Sequence, residues 1–155
     1  MAGAAESSLR FSGSELFAWS KALLAASGLS PEHASIVADI YYRAQLRGVG
    51  HHDLAMLPQR LDWLARHGVN PRPVFARTAG RGAVEAWEGD HGLGELCTWH
   101  ATRRAMELAH HYGLGFATIR NSNHFLAAAP FTELGTEEAL ITMACSNTDA
   151  TMRYP

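Results

Sequence analysis

Gly115-Phe-Ala-Thr-Ile-Arg120 reads as a strand, and Asn121-Ser-Asn-His124 follows it as a polar loop. Upstream, Glu95 to about Tyr112 predicts a long helix, with Cys97, Ala101, Ala105, Leu108, Ala109 and Tyr112 as its inner stripe. Before it, Ala83-Val-Glu-Ala-Trp87 alternates as a strand does, and Gly89-Asp-His-Gly-Leu-Gly94 is the intervening turn. Downstream, Ala127 to Leu134 predicts a short helix interrupted by Pro130, and Ala139-Leu-Ile-Thr-Met-Ala-Cys145 a buried strand. Strand, helix, strand, short helix, strand is therefore the order of the second half.

The first half reads as three helices. Ser12-Gly-Ser14-Glu15 offers N-cap residues, and Leu16, Phe17, Trp19, Leu23 and Leu24 follow at helical spacing up to Gly28. Ser30-Pro31-Glu32 starts a second helix whose face is Ile36, Val37, Ile40, Tyr41 and Ala44, ending at Gly48. A third spans Asp53 to Arg66 with Leu54, Leu57, Leu61 and Leu64 inward, kinked at Pro58 or beginning there. Gly68-Val-Asn-Pro71-Arg-Pro73 is a loop, so the expected division is a helical segment at 1–75 and an α/β segment at 76–155, α+β in class. Three strands and one long helix leave sheet edges open, which predicts a further C-terminal part to cover or pair them.

The 155 residues suit one domain or one with a small appendage. With 47% hydrophobic and 18% charged residues the chain is globular in composition. A formal charge of −2 gives no electrostatic case for nucleic acid, and no apolar run approaches the roughly 20 residues of a membrane span. The N-terminus lacks the basic and apolar regions of a secretory signal. Cys97 and Cys145 make no disulfide framework, which points to a reducing cytoplasm, and both read as small core residues. Trp63, Trp87 and Trp99 read as packing groups.

Three loop segments concentrate chemically capable side chains. Arg47-Gly-Val-Gly-His51-His52-Asp53 joins the second and third helices; a His gains or loses a proton near neutrality, although an Asp N-cap beside two solvent-facing His is the plainer reading. Asn121-Ser-Asn-His124-Phe125 follows a strand, where α/β proteins gather ligands, or is an Asn-rich turn bonded to its own backbone. Ser146-Asn147-Thr148-Asp149 stands in the same relation to the last strand. There is no G-x-G-x-x-G turn, phosphate-binding P-loop, G-x-S-x-G elbow, H-E-x-x-H or C-x-x-C site, so neither a serine hydrolase nor a structural zinc is supported.

Asn121-Ser-Asn-His-Phe125 with Ala127-Ala128 resembles the N-S-N-H-F-G-A-A signature of the malate/L-lactate dehydrogenase family. Arg47-Gly-Val-Gly-His-His52 with Leu57-Pro58 resembles its R-G-V-D-S-H-G…R-L-P segment. Gly92-Leu-Gly94 and the helix after it resemble its G-x-G helix, and Ser146-Asn-Thr148 its S-N-T segment. The resemblance runs from about residue 8 to the end and implies the N-terminal portion of a protein roughly twice this length. It implies a nucleotide-binding fold that is not the Rossmann fold, of the L-sulfolactate dehydrogenase kind. It also implies NAD or NADP as cofactor, a homodimer, and reduction of a small 2-keto acid or cyclic imino acid to the 2-hydroxy acid or amino acid.

By the same resemblance, His52 is the proton donor to the substrate carbonyl, and His51 and His124 assist in the pocket. His124, Phe125, Leu126, Ala127 and Ala128 meet the cofactor, and Asn147 and Thr148 lie beside the substrate. Five positions depart from the pattern: His51 for Ser, Asp53 for Gly, Met56 for the Arg that clamps the substrate carboxylate, Leu126 for Gly, and Ala129 for a usual Gly. Arg60, one helical turn beyond Met56, is the candidate to supply that clamp. Two other readings stay open: a catalytically degenerate relative acting through dimer contacts, and a His-dependent metal-binding module.

Overall fold

The structure, a computed structural model, describes residues 10–147. Helix α1 covers Gly13–Ala26 and starts in a capping box: Ser12 Oγ accepts from Glu15 N at 3.2 Å while Glu15 Oε2 accepts from Ser12 N at 3.0 Å. Its buried residues are Ser20 and Leu24, so Trp19, expected inward, is 57% exposed. The core-facing stripe is turned one position from Trp19, and Ser20 occupies it by donating its hydroxyl to Leu16 O at 2.7 Å. Helix α2 covers Pro31–Leu46, capped by Ser30 Oγ on His33 N, with Val37, Ile40, Tyr41 and Ala44 buried as expected. A 3₁₀ turn at Leu54–Met56 leads into α3, Leu57–Ala65, so Pro58 lies in the first turn, where its missing N–H is harmless.

The sheet has three strands in the order β1-β2-β3. Strand β1, Ala76–Arg81, pairs antiparallel with β2, Val84–Glu88, which pairs parallel with β3, Phe116–Arg120. Helix α4, Gly94–Tyr112, is the crossover between the parallel strands. Strand β1 was not legible because every one of its residues is exposed and no apolar alternation marks it. On α4, Cys97, Ala101 and Leu108 are buried as expected, Ala105 and Ala109 are half-buried, and Tyr112, the last residue before the Gly113 cap, is 53% exposed. Helix α5 covers Ala129–Glu137 with Pro130 in its first turn rather than as an interruption.

The stretch from Ala139 to Cys145 is not a strand. A strand needs a ladder partner, and among the described residues β3 pairs only with β2. The segment opens in a turn, Ala139 at φ +58°, and continues without a ladder; Ile141 and Met143 are exposed, and so is Cys145, in contrast to the buried position its apolar neighbours predict. Cys97 is buried, its thiol pushed up to about 11 chiefly by desolvation, as suits a core residue.

One apolar cluster joins the two halves: Leu24, Val37, Tyr41, Leu57 and Leu64 from the helices before residue 75 pack with Leu93, Leu96 and Leu126 after it. Trp87 lies edge-on to His100, which also stacks on Phe75 at 4.4 Å between ring centroids. No helix among the described residues is long and apolar enough to cross a membrane.

Candidate active site

The parallel strands β2 and β3 end side by side, and the loops beyond their C-terminal ends are laced together. Gly89 N donates to Arg120 O and His91 N to Asn121 O, both at 2.8 Å. Asn121 takes φ +49°, a conformation that asparagine tolerates. Asn123 then clamps the start of α4: its Oδ1 accepts from Gly94 N at 2.7 Å and its Nδ2 donates to Gly92 O at 3.2 Å. This edge is where open α/β sheets place ligands.

Gly94 is a close-approach position. A Cβ there would lie 2.4 Å from Asn123 O and 2.5 Å from His124 O, both backbone atoms of the loop that carries His124. Gly94→Ala is therefore expected to push that loop off the helix and lower stability by about 1–3 kcal/mol, the usual range for overpacking. Urea denaturation measures it; a variant of wild-type stability would show that the loop does not rest on the helix.

The second helical junction brings two more imidazoles, those of His51 and His52, to the place where the loop holds His124. Asp53 is the N-cap that the plainer reading expected: its Oδ1 accepts from Ala55 N at 2.9 Å and its Oδ2 from Gly50 N at 2.8 Å. That cap fixes His52, half-buried, with its ring centroid 4.9 Å from that of His124 in an edge-on arrangement. His51 is exposed and lies 4.3 Å from His52. Desolvation holds the His52 pKa below its ordinary value; neighbouring His51, His124 and Arg60 act in the same direction, and Asp53 only partly opposes them. His124 Nδ1 accepts from Leu126 N at 3.2 Å, so that nitrogen offers its lone pair and the neutral ring carries its proton on Nε2.

Arg60 is not open to solvent. At 1% side-chain exposure it donates from Nε to Glu95 Oε1 at 2.9 Å, from Nη1 to Gln59 Oε1 at 2.9 Å and from Nη2 to the carbonyl of His124 at 2.8 Å. Its guanidinium lies 4.4 Å from the centre of Trp63, which accounts for that tryptophan as a packing group. Tyr41 donates to the same Glu95 oxygen at 2.7 Å, while Glu95 Oε2 is buried without a partner. Desolvation, then the Glu95 charge, holds the Tyr41 hydroxyl protonated far above its ordinary range. Met56 packs against the apolar core.

Asn147 is exposed, and among the described residues its side chain has no hydrogen-bond partner; Thr148 lies outside them. Leu126 and Ala127 are buried, so His124, Phe125 and Ala128 form the reachable side of that loop. Among the described residues no three His, Cys, Asp or Glu side chains are grouped to hold a metal ion. The sequence marks Tyr41 only as part of an apolar helix face, and Gly94 and Asn123 only as members of the family-like segments, with no site role for any of them or for Glu95. Glu95 reads there as an ordinary acidic residue in the first turn of a helix, and only its burial reveals more.

A family model described as malate/L-lactate dehydrogenase matches residues 11–155. The chain belongs to this family. It is 30% identical over 142 residues to the malate dehydrogenase of Pyrococcus abyssi, covering 92% of this chain and 39% of that protein. It is 31% identical over 125 residues to the L-sulfolactate dehydrogenase of Methanocaldococcus jannaschii, covering 81% and 36%. The solved malate dehydrogenase of Pyrococcus horikoshii superposes with a TM-score of 0.83 at 30% identity, over 89% of this chain and 40% of that one. The chain thus spans about two-fifths of the length of the curated relatives it matches.

Membership in the malate/L-lactate dehydrogenase family gives the Leu126 departure a physical meaning. Leu126 has φ +68°, a left-handed conformation in which a Cβ is strained by about 1–2 kcal/mol and glycine is not. The glycine of the N-H-F-G pattern suits that backbone. Leu126 is 5% exposed within the core cluster, and burying a leucine contributes about 1.5–3 kcal/mol, enough to offset the strain.

Proposed function

We propose that the chain belongs to an oxidoreductase that interconverts a small 2-keto acid, or cyclic imino acid, and the corresponding 2-hydroxy acid or amino acid with NAD or NADP. The observation that carries this reading is the pairing of His52 and His124, from segments far apart in sequence, with 4.9 Å between ring centroids at the C-terminal edge of a parallel strand pair. The named relatives supply the substrate class by analogy: malate and L-sulfolactate dehydrogenases both carry the name of a 2-hydroxy acid.

The reachable face of the loop suits a nicotinamide. His124 and Phe125 set their rings edge to face, 6.2 Å between centroids, beside exposed Asn121 and Ser122. A flat polar ring packs on such a surface and finds amide and hydroxyl partners there. When bound, the nicotinamide gives or takes the hydride. His52 moves the proton: neutral, it takes one from the substrate hydroxyl; charged, it gives one to the carbonyl oxygen as negative charge builds there. His124 with Nε2–H offers a second donor to that oxygen, and Asn147 and Thr148 are assigned beside the substrate by the family pattern. The same pattern makes the protein a homodimer, and its two free cysteines suit a reducing cytoplasm.

A thermal melt of the chain with saturating NADH or NADPH tests the cofactor assignment. Ligand at 100 times its dissociation constant stabilises by about 2.7 kcal/mol. For a chain of this size that raises the melting temperature by about 5–10 °C, with the preferred nucleotide giving the larger rise. A melt indifferent to both nucleotides would remove nicotinamide binding from these residues. A second reading, a family member without catalysis, is favoured by one observation: Met56 packs against the apolar core and Arg60 is spent on internal partners. Turnover of any member of a 2-keto and 2-hydroxy acid panel excludes it.

A further inference from the structure

Arg60 reaches the candidate site from behind. Its helix, α3, begins just after the His52 segment, and its guanidinium bridges Glu95 at the start of α4 to the backbone of His124 after β3. Glu95 is fully buried and is held in turn by Tyr41 from α2. The guanidinium thus joins α3, α4 and the His124 loop directly, and α2 through Glu95. An arginine can do this because its donors form a rigid planar fork, so fixing Nε on Glu95 also fixes where Nη2 points.

Resting on the dehydrogenase reading above, we propose that Arg60 is a positioning residue: held by Glu95 and Tyr41, it fixes the His124 backbone and so the spacing and tautomer of the paired imidazoles. The family's substrate clamp is replaced here by an internal brace. The chain of causes is short. Arg60 anchors the His124 carbonyl; the anchored backbone presents Leu126 N–H to His124 Nδ1; that bond places the ring proton on Nε2. The cation has a second effect. The charged and titratable groups facing His52 are His51 and Asp53 from its own segment, His124 from the loop after β3, and Arg60 from α3. Arg60 is the permanent cation among them, and it favours the neutral imidazole.

The test is a nitrogen NMR titration of the imidazoles in the whole chain, comparing wild type with Arg60→Lys and with the charge-balanced double variant Arg60→Met/Glu95→Gln. In the double variant the His52 midpoint is expected to rise by about 0.5 pH, as a nearby cation has gone. The His124 ring is expected to lose its Nε2–H preference and show both tautomers. Lysine keeps the charge as a point donor without the fork. Arg60→Lys is therefore expected to leave the His52 midpoint within about 0.2 pH of wild type while mixing the His124 tautomers. A merely structural arginine would not separate these two readouts. The proposal is overturned if Arg60→Lys leaves the tautomer of His124 unchanged, or if a folded double variant leaves both signals at their wild-type values. No turnover is read, so failure of the dehydrogenase reading would show instead as a wild-type chain with the expected titration and no activity towards any hydroxy acid.

Discussion

His52→Ala is expected to lower turnover of the 2-hydroxy acid by about 10²–10⁴-fold, the usual contribution of a positioned acid–base group. Nicotinamide binding should be retained, because the reachable aromatic surface belongs to His124 and Phe125 rather than to His52. The direction of the pH dependence follows from the His52 environment. Its midpoint lies below the ordinary 6.5, so the ring is neutral at pH 7 and ready to act as a base. In the oxidative direction kcat/KM should rise as pH passes that midpoint and stay level above it. In the reductive direction the charged ring is needed, so the rate should fall over the same interval as pH rises. Steady-state kinetics of wild type and variant in both directions check this: the variant loses that limb of each profile. Turnover unchanged by the substitution would remove His52 from the mechanism.

The second large effect concerns stability. Arg60→Ala leaves Glu95, which has no exposed surface, without its counter-charge and without the donor on Oε1 that Tyr41 alone cannot replace. Breaking a buried pair by removing one partner typically costs about 3–5 kcal/mol. Against a total stability of about 5–15 kcal/mol, such a loss brings the chain near the edge of folding. Urea denaturation of wild type and variant measures it. The contrast with the surface is sharp: Arg66 and Asp62 form an ion pair on α3 with both partners exposed, and deleting it should change stability by less than about 1 kcal/mol. An Arg60→Ala loss no larger than that would mean that water reaches Glu95.

Helix starts were legible because their chemistry is local. Ser12 with Glu15, Ser30 with Pro31, and Asp53 each cap the helix or turn that the sequence places after them. The strand–helix–strand order was legible because apolar spacing survives in β2, α4 and β3. Strand β1 was silent, since an exposed edge strand with Thr78, Ala79 and Gly80 carries no burial pattern. The expected strand at 139–145 misled for the opposite reason: its apolar run shows β propensity, but a strand exists only where a partner supplies the ladder. Of the site, His52 and His124 were legible through the family pattern, whereas Arg60, Glu95 and Tyr41 were not seen as one group. Their meeting depends on how α2, α3 and α4 pack, and no local spacing records that.

The Arg60–Glu95 brace constrains how this sequence can drift. A neutral replacement of either residue alone strands the other charge in the interior, so each single step is harmful while the paired step is tolerable. Neighbouring sequences along a mutational walk are thus separated by a valley, and a lineage carrying both charges keeps both or exchanges both. Arginine at 60 therefore ties the fate of a residue on α3 to one at the head of α4, and the loop between His124 and Leu126 inherits that bond.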